Sequence, residues 1–131
     1  MSIHEIQKLV DDLHYWDARV AHLNCNYFAD EIELCYKDGN TDVFYRFLGC
    51  YKSNFNHVKS YDKLKPVSKM EIAQLPYFLQ DVEFGETSEM GITFYTCKIN
   101  MFPMDLEIWC KDIKIIAKEH EVFDSELPKN N

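Results

Sequence analysis

Cysteine is the residue type in this sequence with the widest chemical repertoire, since a thiolate can act as a nucleophile or bind a metal. The five cysteines are Cys25, Cys35, Cys50, Cys97 and Cys110. No two form a Cys-x-x-Cys pair, and a zinc site needs closely spaced Cys or His ligands, so the spacing predicts no metal site. Four of the five lie inside predicted strands or at a strand end, which favours buried thiols in a reducing compartment. A lone nucleophilic cysteine stays an open alternative, although no neighbouring residue marks one as activated.

Histidines and paired carboxylates are the other candidates for acid–base chemistry. The histidines are scattered along the chain at His4, His14, His22, His57 and His120. The chain contains no His-x-His, no His-Glu-x-x-His and no Gly-rich phosphate loop. Asp81 and Glu83 are expected on one face of a strand, where they could serve acid–base work, but such outward acids are more often simply solvated. We therefore expect no catalytic residues, no cofactor and no enzymatic activity.

Three consecutive antiparallel strands, predicted within residues 17–50, form the part of the fold around which the other elements are arranged. Apolar and polar residues alternate there with a period of two, which places the apolar set on one face of a sheet. Asp38-Gly39-Asn40 supplies residues that accept a positive φ, as a tight hairpin requires. The side chains expected to face inward are Ala21, Leu23, Cys25, Tyr27, Ile32, Leu34, Tyr36, Val43, Tyr45 and Phe47.

The remaining elements complete an α+β pattern. A helix is predicted over 2–13, with Ser2 and Glu5 as a capping box, and a short helix near 68–75. Three more strands are predicted in residues 77–84, 92–99 and 105–116, the last with a bulge at Lys111-Asp112. The expected fold is a curved antiparallel sheet or small sandwich of about six strands with an N-terminal helix. The strand order does not follow from the sequence.

The 131 residues are expected to form a single domain, 1–131. Residues 51–68 read as a long basic surface loop and residues 118–131 as a polar, frayed tail. The N-terminus lacks the pattern of a secretory signal, and no run approaches the roughly 20 apolar residues of a membrane span. The expected location is the cytoplasm, without membrane association.

The charge is acidic overall and unevenly distributed. The net charge is −8, and five lysines against one acid make residues 51–70 basic, while the sequence on both sides is acidic. An acidic body disfavours contact with phosphate backbones and favours a basic partner, whose approach it would accelerate. Two alternatives stay open: the charge could serve solubility alone, and the lysines and aromatics of 51–68 could contact single-stranded nucleic acid.

Three stretches of the sequence resemble a known group of proteins. Leu13-x-Tyr15-Trp16-Asp17-Ala18-Arg19-Val20 is similar to the aromatic-His-Asp-Ala motif of small bacterial immunity proteins from polymorphic and contact-dependent toxin systems and their uncharacterised relatives. Residues 75–83 and the pattern from Cys97 to Cys110 resemble the C-terminal half of the same group. Trp16 stands where the group has His, so no chemical role is carried over to that position. Asp17 is retained, and its carboxylate is expected to accept backbone N–H groups at the turn.

The resemblance implies an immunity-type protein that binds a cognate toxin domain, typically a basic nuclease, and blocks it by occlusion. The candidate partner-binding residues are Glu31, Glu33, Asp81, Glu83, Glu86 and Glu89, with Tyr77 and Trp109 as aromatic anchors. Two other classes stay open: a small-ligand pocket lined by the many aromatic side chains, and a structural module without a toxin partner. Outward apolar residues such as Phe44, Leu48 and Trp109 would need a covering helix or a second subunit, so a homodimer also stays open.

Overall fold

One α-helix and six antiparallel strands make up the part of the chain that the structure, a computed structural model, describes: residues 1–58 and 65–119. The elements are α1 (Ile3–Asp12), β1 (Val20–Asn26), β2 (Glu31–Asp38), β3 (Thr41–His57), β4 (Asp81–Glu89), β5 (Ile92–Met101) and β6 (Met104–Glu119). The strands form one sheet in the order β1-β2-β3-β6-β5-β4. The predicted α+β fold with a curved antiparallel sheet is confirmed.

Helix α1 begins with the predicted capping box. The Ser2 hydroxyl accepts a hydrogen bond from the Glu5 N–H at 3.2 Å, and the Glu5 carboxylate accepts one from the Ser2 N–H at 2.7 Å. These bonds satisfy two of the N–H groups that every helix start leaves unpaired. Ile6 and Val10 are buried on the side of the helix that packs on β4 and β6.

The hydrophobic core lies between α1 and one face of the sheet. The predicted inward residues of β2 and β3 are all buried there: Ile32, Leu34, Tyr36, Val43, Tyr45 and Phe47. The prediction for the first strand is only partly right. Cys25 is exposed, and Tyr27 lies in the turn after β1 with 73% of its surface exposed. The reason is that α1 packs against β4 and β6, so it does not cover the far end of β1.

Strand β3 is longer than predicted, and the loop prediction for 51–68 is wrong for its first part. Residues 51–57 continue β3 and pair with the first residues of β6. Phe55 packs against the core, whereas Lys52, Asn54 and Asn56 are exposed. The polar residues that suggested a loop therefore occupy one face of a strand. Residues 59–64 of the predicted loop lie outside the described residues.

Near the middle of β3 and β6, the alternation of side chains between the two faces of the sheet is interrupted. Gly49 has a φ of +63°, and the pairing register shifts between Cys50 and Lys52. On β6, Lys111 and Asp112 are both exposed, so the alternation breaks where the sequence predicts a bulge. Because a bulge bends its strand and increases the twist, this region curves the sheet.

The curved sheet brings its two edges together at one end. The Asp17 N–H donates to the Leu79 carbonyl at 2.8 Å, the Leu79 N–H donates to Ala18 at 2.9 Å, and the Val20 N–H donates to Tyr77 at 2.8 Å. These bonds join the start of β1 to the extended stretch that precedes β4. At this end of the sheet, backbone groups of residues 17–20 and 77–79 are therefore paired with each other rather than left open.

The structure differs from two further sequence predictions. The short helix near 68–75 is realised as two one-turn 3-10 helices, Val67–Lys69 and Ile72–Gln74. Met70 and Glu71 between them are extended, and Glu71 caps the second turn together with Gln74. Of the tail predicted at 118–131, Lys118 and Glu119 belong to β6 and the rest lies outside the described residues.

Candidate partner-binding face

The face of the sheet that points away from the core, here called the outer face, carries a patch of four carboxylates. The acidic patch consists of Asp81, Glu83, Asp105 and Glu107. Its positions follow from the pairing register, which aligns Glu83 on β4, Lys98 on β5 and Glu107 on β6 in one row across the sheet. A second row aligns Asp81, Asn100 and Asp105. Strand order thus brings together acids that are up to 26 positions apart in sequence.

The acidic patch lines a shallow depression of about 390 Å³, which Asn54 and Asn56 of β3 border. Four carboxylates face one lysine, Lys98, so the patch has a formal charge of −3. Among the described residues, none of the four carboxylates is in an ion pair. Their charges are therefore not offset by a direct partner within the described part of the chain.

An aromatic cluster of Tyr51, Phe94 and Trp109 adjoins the acidic patch. The Tyr51 and Phe94 rings stack with centroids 4.7 Å apart, and the Trp109 centroid is 6.4 Å from each. Lys52 lies over the Trp109 ring with its Nζ 4.5 Å from the centroid, which is within cation–π distance. The Trp109 Nε1–H donates to Glu107 at 3.0 Å, which links the cluster to the patch.

The predicted residues Asp81, Glu83 and Trp109 do share this outer face. Glu89 lies at its border, because its carboxylate accepts a hydrogen bond from the Tyr51 hydroxyl at 3.0 Å. This bond is the main cause of the raised pKa of Tyr51. Glu86 pairs with Tyr95, which packs against the core, and so projects from the opposite face of β4.

Glu31 and Glu33 lie on β2, in a different part of the sheet from the acidic patch. Glu33 accepts hydrogen bonds from the Arg46 Nε–H at 2.7 Å and pairs with His22 Nε2 at 3.0 Å. Burial opposes ionisation of Glu33, but the hydrogen bonds from Arg46 and His22 outweigh it and lower its pKa. Since Arg46 and Lys114 border the same shallow depression, this region is charge-balanced rather than strongly acidic.

Tyr77, a candidate aromatic anchor from the sequence, is buried and does not lie on the outer face with Trp109. Only 8% of its surface is exposed, and its hydroxyl lies 2.8 Å from His57 Nε2. The physical reason is its position in the stretch that closes the sheet, where the Tyr77 carbonyl accepts from the Val20 N–H and the ring enters the core.

Sequence reasoning missed Asp105, Glu107 and the two asparagines Asn54 and Asn56. The two acids lie on a strand with alternating polar and apolar residues, so the sequence indicates that they face outward. Which residues lie beside them depends on the strand order, which the sequence does not give. The sequence predicts a loop for the asparagines because lysines, asparagines and serines are mixed with aromatic residues over 51–68. Their period of two with Ser53 and Phe55 was the signal that could have identified a strand.

The aromatic side chains do not line a common pocket. Tyr45 and Phe84 are on the core side, whereas Phe94 and Trp109 stack on the outer face. Phe44 and Trp109, two of the three outward apolar residues, are covered by cationic side chains of the same chain. Arg46 and Lys118 each lie over the Phe44 ring at 5.7 Å, and Lys52 covers Trp109. Their half-buried state therefore does not require a second subunit.

The cysteines have the physical character of protonated thiols. All five are free, and burial raises the pKa of Cys35 and Cys50 to about 11 and that of Cys110 to about 12. A raised pKa suppresses the thiolate, which is the nucleophilic form. Within residues 1–58 and 65–119, nowhere do three His, Cys, Asp or Glu side chains gather so that they could hold a metal ion.

The motif Tyr15-Trp16-Asp17-Ala18 fixes the connection between α1 and β1. Tyr15 is buried and its hydroxyl accepts from the Val82 N–H at 3.3 Å, while Trp16 stacks on Tyr15 with 55% of its surface exposed. The structure shows the part played by the backbone of Asp17, and the role of its carboxylate stays a prediction. Asp17 adopts a φ of +62°, and it is its backbone N–H that bonds to Leu79. A left-handed backbone at this point turns the chain towards the closing stretch of the sheet.

Together these features define a class: a small α+β protein with an open sheet face that presents carboxylates and stacked aromatic rings. No helix within the described residues is long and apolar enough to span a bilayer. The chain matches the model of the family Immunity protein PIM7 over residues 2–117. It therefore belongs to this immunity-protein family, and the resemblance seen in the sequence is confirmed. No match is found among curated proteins.

Proposed function

We propose that this protein binds a cognate toxin domain through the outer face of its sheet and blocks that toxin by occlusion. The family match over residues 2–117 is the observation that carries the proposal, since immunity proteins protect a cell from a toxin. The acidic patch supports the choice of face. Asp81, Glu83 and Trp109 remain the proposed contacts, and Asp105 and Glu107 join them.

The chemistry of the patch favours a basic toxin, such as a nuclease with a cationic substrate groove. Four carboxylates without ion-pair partners among the described residues attract a cationic surface and accelerate its approach. The rings of Tyr51 and Trp109 supply contact area beside the charges, and such aromatic residues often dominate binding energy. An acidic face seated in the groove would exclude nucleic acid by covering the site and by repelling phosphate.

In this proposal the protein is not an enzyme and acts in the cytoplasm. Raised pKa values at the buried cysteines argue against thiolate chemistry. An odd number of cysteines without a Cys-x-x-Cys pair fits a protein that acts in a reducing compartment. Nucleic acid is not a proposed partner, because the outer face is acidic.

Co-expression with the C-terminal domain of a toxin from an adjacent open reading frame, where one is present, tests the proposal. We expect the wild-type protein to restore growth and to co-purify with the toxin domain. Neither rescue nor co-purification would contradict the proposal for that pair. An association rate that does not change between low and high salt would contradict the electrostatic part separately.

Charge reversal tests the proposed face. Glu83→Lys places a positive charge in the acidic patch, and we expect it to weaken binding of the toxin domain at least ten-fold, mainly through slower association at low salt. Glu86→Lys is the matched control, because it makes the same change in β4 but on the opposite face. Equal losses for the two variants would show that only net charge matters and would reject the outer face as the site.

A further inference from the structure

The turn between β1 and β2, residues 27–30, combines backbone strain with exposed aromatic rings. Tyr27, Phe28 and Ala29 have φ values of +52°, +59° and +67°, so three successive non-glycine residues are left-handed. Tyr27 is 73% exposed, and Phe28 is fully exposed at 108%. We call residues 27–30 the aromatic turn.

This arrangement is unfavourable for the isolated protein in two ways. A left-handed backbone crowds the Cβ atom of any residue except glycine, so these positions favour Gly or Asn. An exposed Phe also gains nothing from the hydrophobic effect in the folded state. Strained residues persist where the surrounding structure enforces them, and they concentrate at sites of binding or catalysis.

The surrounding structure does enforce this conformation. The Asp30 N–H donates to the Tyr27 carbonyl at 3.1 Å, which closes the turn, and the Cys50 N–H donates to the Asp30 carbonyl at 2.9 Å, which ties it to β3. The last pair of the β1–β2 ladder, Asn26 and Glu31, closes its base. The rings are therefore presented from a fixed backbone, which lowers the entropy cost of binding.

The location of the turn points to the kind of partner. Asp30 lies within the turn, and Asn26 and Glu31 flank it. Glu31 also borders the charge-balanced depression that contains Arg46 and Lys114, so Asp30 is the carboxylate nearest in sequence to the exposed rings. Through Cys50 the turn is attached to β3 immediately before Tyr51, where the aromatic cluster of the outer face begins. An aromatic projection with an acidic neighbour fits an apolar pocket with a basic rim.

We propose that Tyr27 and Phe28 form an anchor that inserts into an apolar, basic-rimmed pocket of the cognate toxin domain. This inference rests on the proposed function and adds a second contact to it. It explains why strained aromatic residues occupy positions where glycine would fit better. The strain is tolerated in the free protein, and the rings become buried only in the complex.

Glycine substitution separates this role from a structural one. Phe28→Gly removes the ring and also relieves the left-handed strain, so we expect a thermal midpoint that does not fall, together with at least ten-fold weaker binding of a catalytically inactive toxin domain. Phe28→Ala removes the ring but keeps the Cβ, and should weaken binding as much. Met90→Gly is the matched control, because Met90 is 90% exposed with a φ of +53° in the β4–β5 turn. We expect this control to bind like the wild type.

The possible results of these experiments distinguish failure of the proposed function from failure of the proposed anchor. Wild-type protein that neither binds nor protects would remove the proposed function itself. Wild-type protein that binds, with Phe28 variants that bind equally well, would overturn the anchor and leave the proposed function intact. Loss of binding in Met90→Gly to the same extent, or a wild-type dimer that Phe28→Gly converts to a monomer while toxin affinity is unchanged, would also overturn it.

Discussion

At the edge of the sheet, a single glutamine side chain forms hydrogen bonds of the kind that a neighbouring strand would form. Gln7 on α1 donates from Nε2 to the Val82 carbonyl at 2.9 Å and accepts at Oε1 from the Phe84 N–H at 2.7 Å. A primary amide holds a carbonyl acceptor and an N–H donor in one plane, as a peptide group does, and the second N–H of Gln7 donates to Asp11 at 3.0 Å. Gln7 therefore pairs part of the edge of β4 and fixes the helix to it.

Substitution of Gln7 tests this arrangement. We expect Gln7→Ala to lower the free energy of unfolding by about 1–3 kcal/mol, because it leaves part-buried backbone groups of β4 unpaired. Lys8→Ala is the control. It removes an exposed ion pair of the next helix residue with Asp12 and should cost less than about 1 kcal/mol. Urea unfolding of both variants measures the difference, and similar losses would contradict the assigned role.

The sequence predicts the helix that carries Gln7 but not what Gln7 does. The apolar stripe and the capping box follow from spacings of three and four residues, which is local information. The partners of Gln7 lie 75 and 77 positions away. The same limit applies to Trp16 and Asp17, whose partners at Tyr15 and Leu79 depend on how the chain turns rather than on residue type.

Among the elements, the long strand β3 depends on one glycine. Gly49 is left-handed where β3 changes phase, and a Cβ added there would lie 3.2 Å from the Lys111 Cβ of the neighbouring strand. Gly39 in the β2–β3 hairpin is also left-handed, at +59°, but nothing lies within 4 Å of an added Cβ. The two glycines thus share the conformational requirement and differ in the available space.

Alanine at each glycine separates these two effects. Gly39→Ala should cost about 1 kcal/mol from the left-handed backbone alone. Gly49→Ala should cost more, by roughly 1–2 kcal/mol, because Lys111 or the bend must also shift. Chemical denaturation gives both values. Equal costs would mean that the contact with Lys111 is relieved without penalty.

Element prediction succeeded where a local pattern was complete. The hairpin at Gly39 and the alternation of β2 followed from residue types. The extension of β3 through Lys52, Asn54 and Asn56 did not, because a strand whose outer face is entirely polar resembles a loop. Asp105 and Glu107 could be assigned to a strand but not to a site, since only the order β3-β6-β5-β4 puts them beside Asp81 and Glu83.

On the scale of the whole molecule, burial of neutral phenol and thiol groups makes stability depend on alkaline pH. Burial raises the pKa of Tyr36 to about 12, compared with an ordinary value near 10, and raises those of Cys35, Cys50 and Cys110 as well. A group with a raised pKa in the folded state releases its proton more readily from the unfolded state. The contribution of such a group to the free energy of unfolding is complete below its pKa in the unfolded state. It is lost as the pH rises through its pKa in the folded state.

We therefore expect the free energy of unfolding to decline from about pH 9 to about pH 12. Tyr36→Phe should make that decline shallower above about pH 10, although it also removes the hydrogen bond from the Tyr36 hydroxyl to the Leu13 carbonyl at 3.1 Å. Denaturant titrations at several pH values give the slope directly. A wild-type curve that stays flat over this range would contradict the assigned burial.

The central position of β6 also determines when a growing chain can become a working molecule. β6 follows the other five described strands in sequence, yet it lies between β3 and β5. Until β6 is synthesised, β3 and β5 both lack the strand with which they pair, and most of the native contacts are long-range, a feature of slow folders. A nascent or truncated chain that ends before Met104 therefore lacks the strand that joins β1-β2-β3 to β5-β4. On the proposed function, such a product would give the cell no partial immunity, and protection would begin only with completed copies.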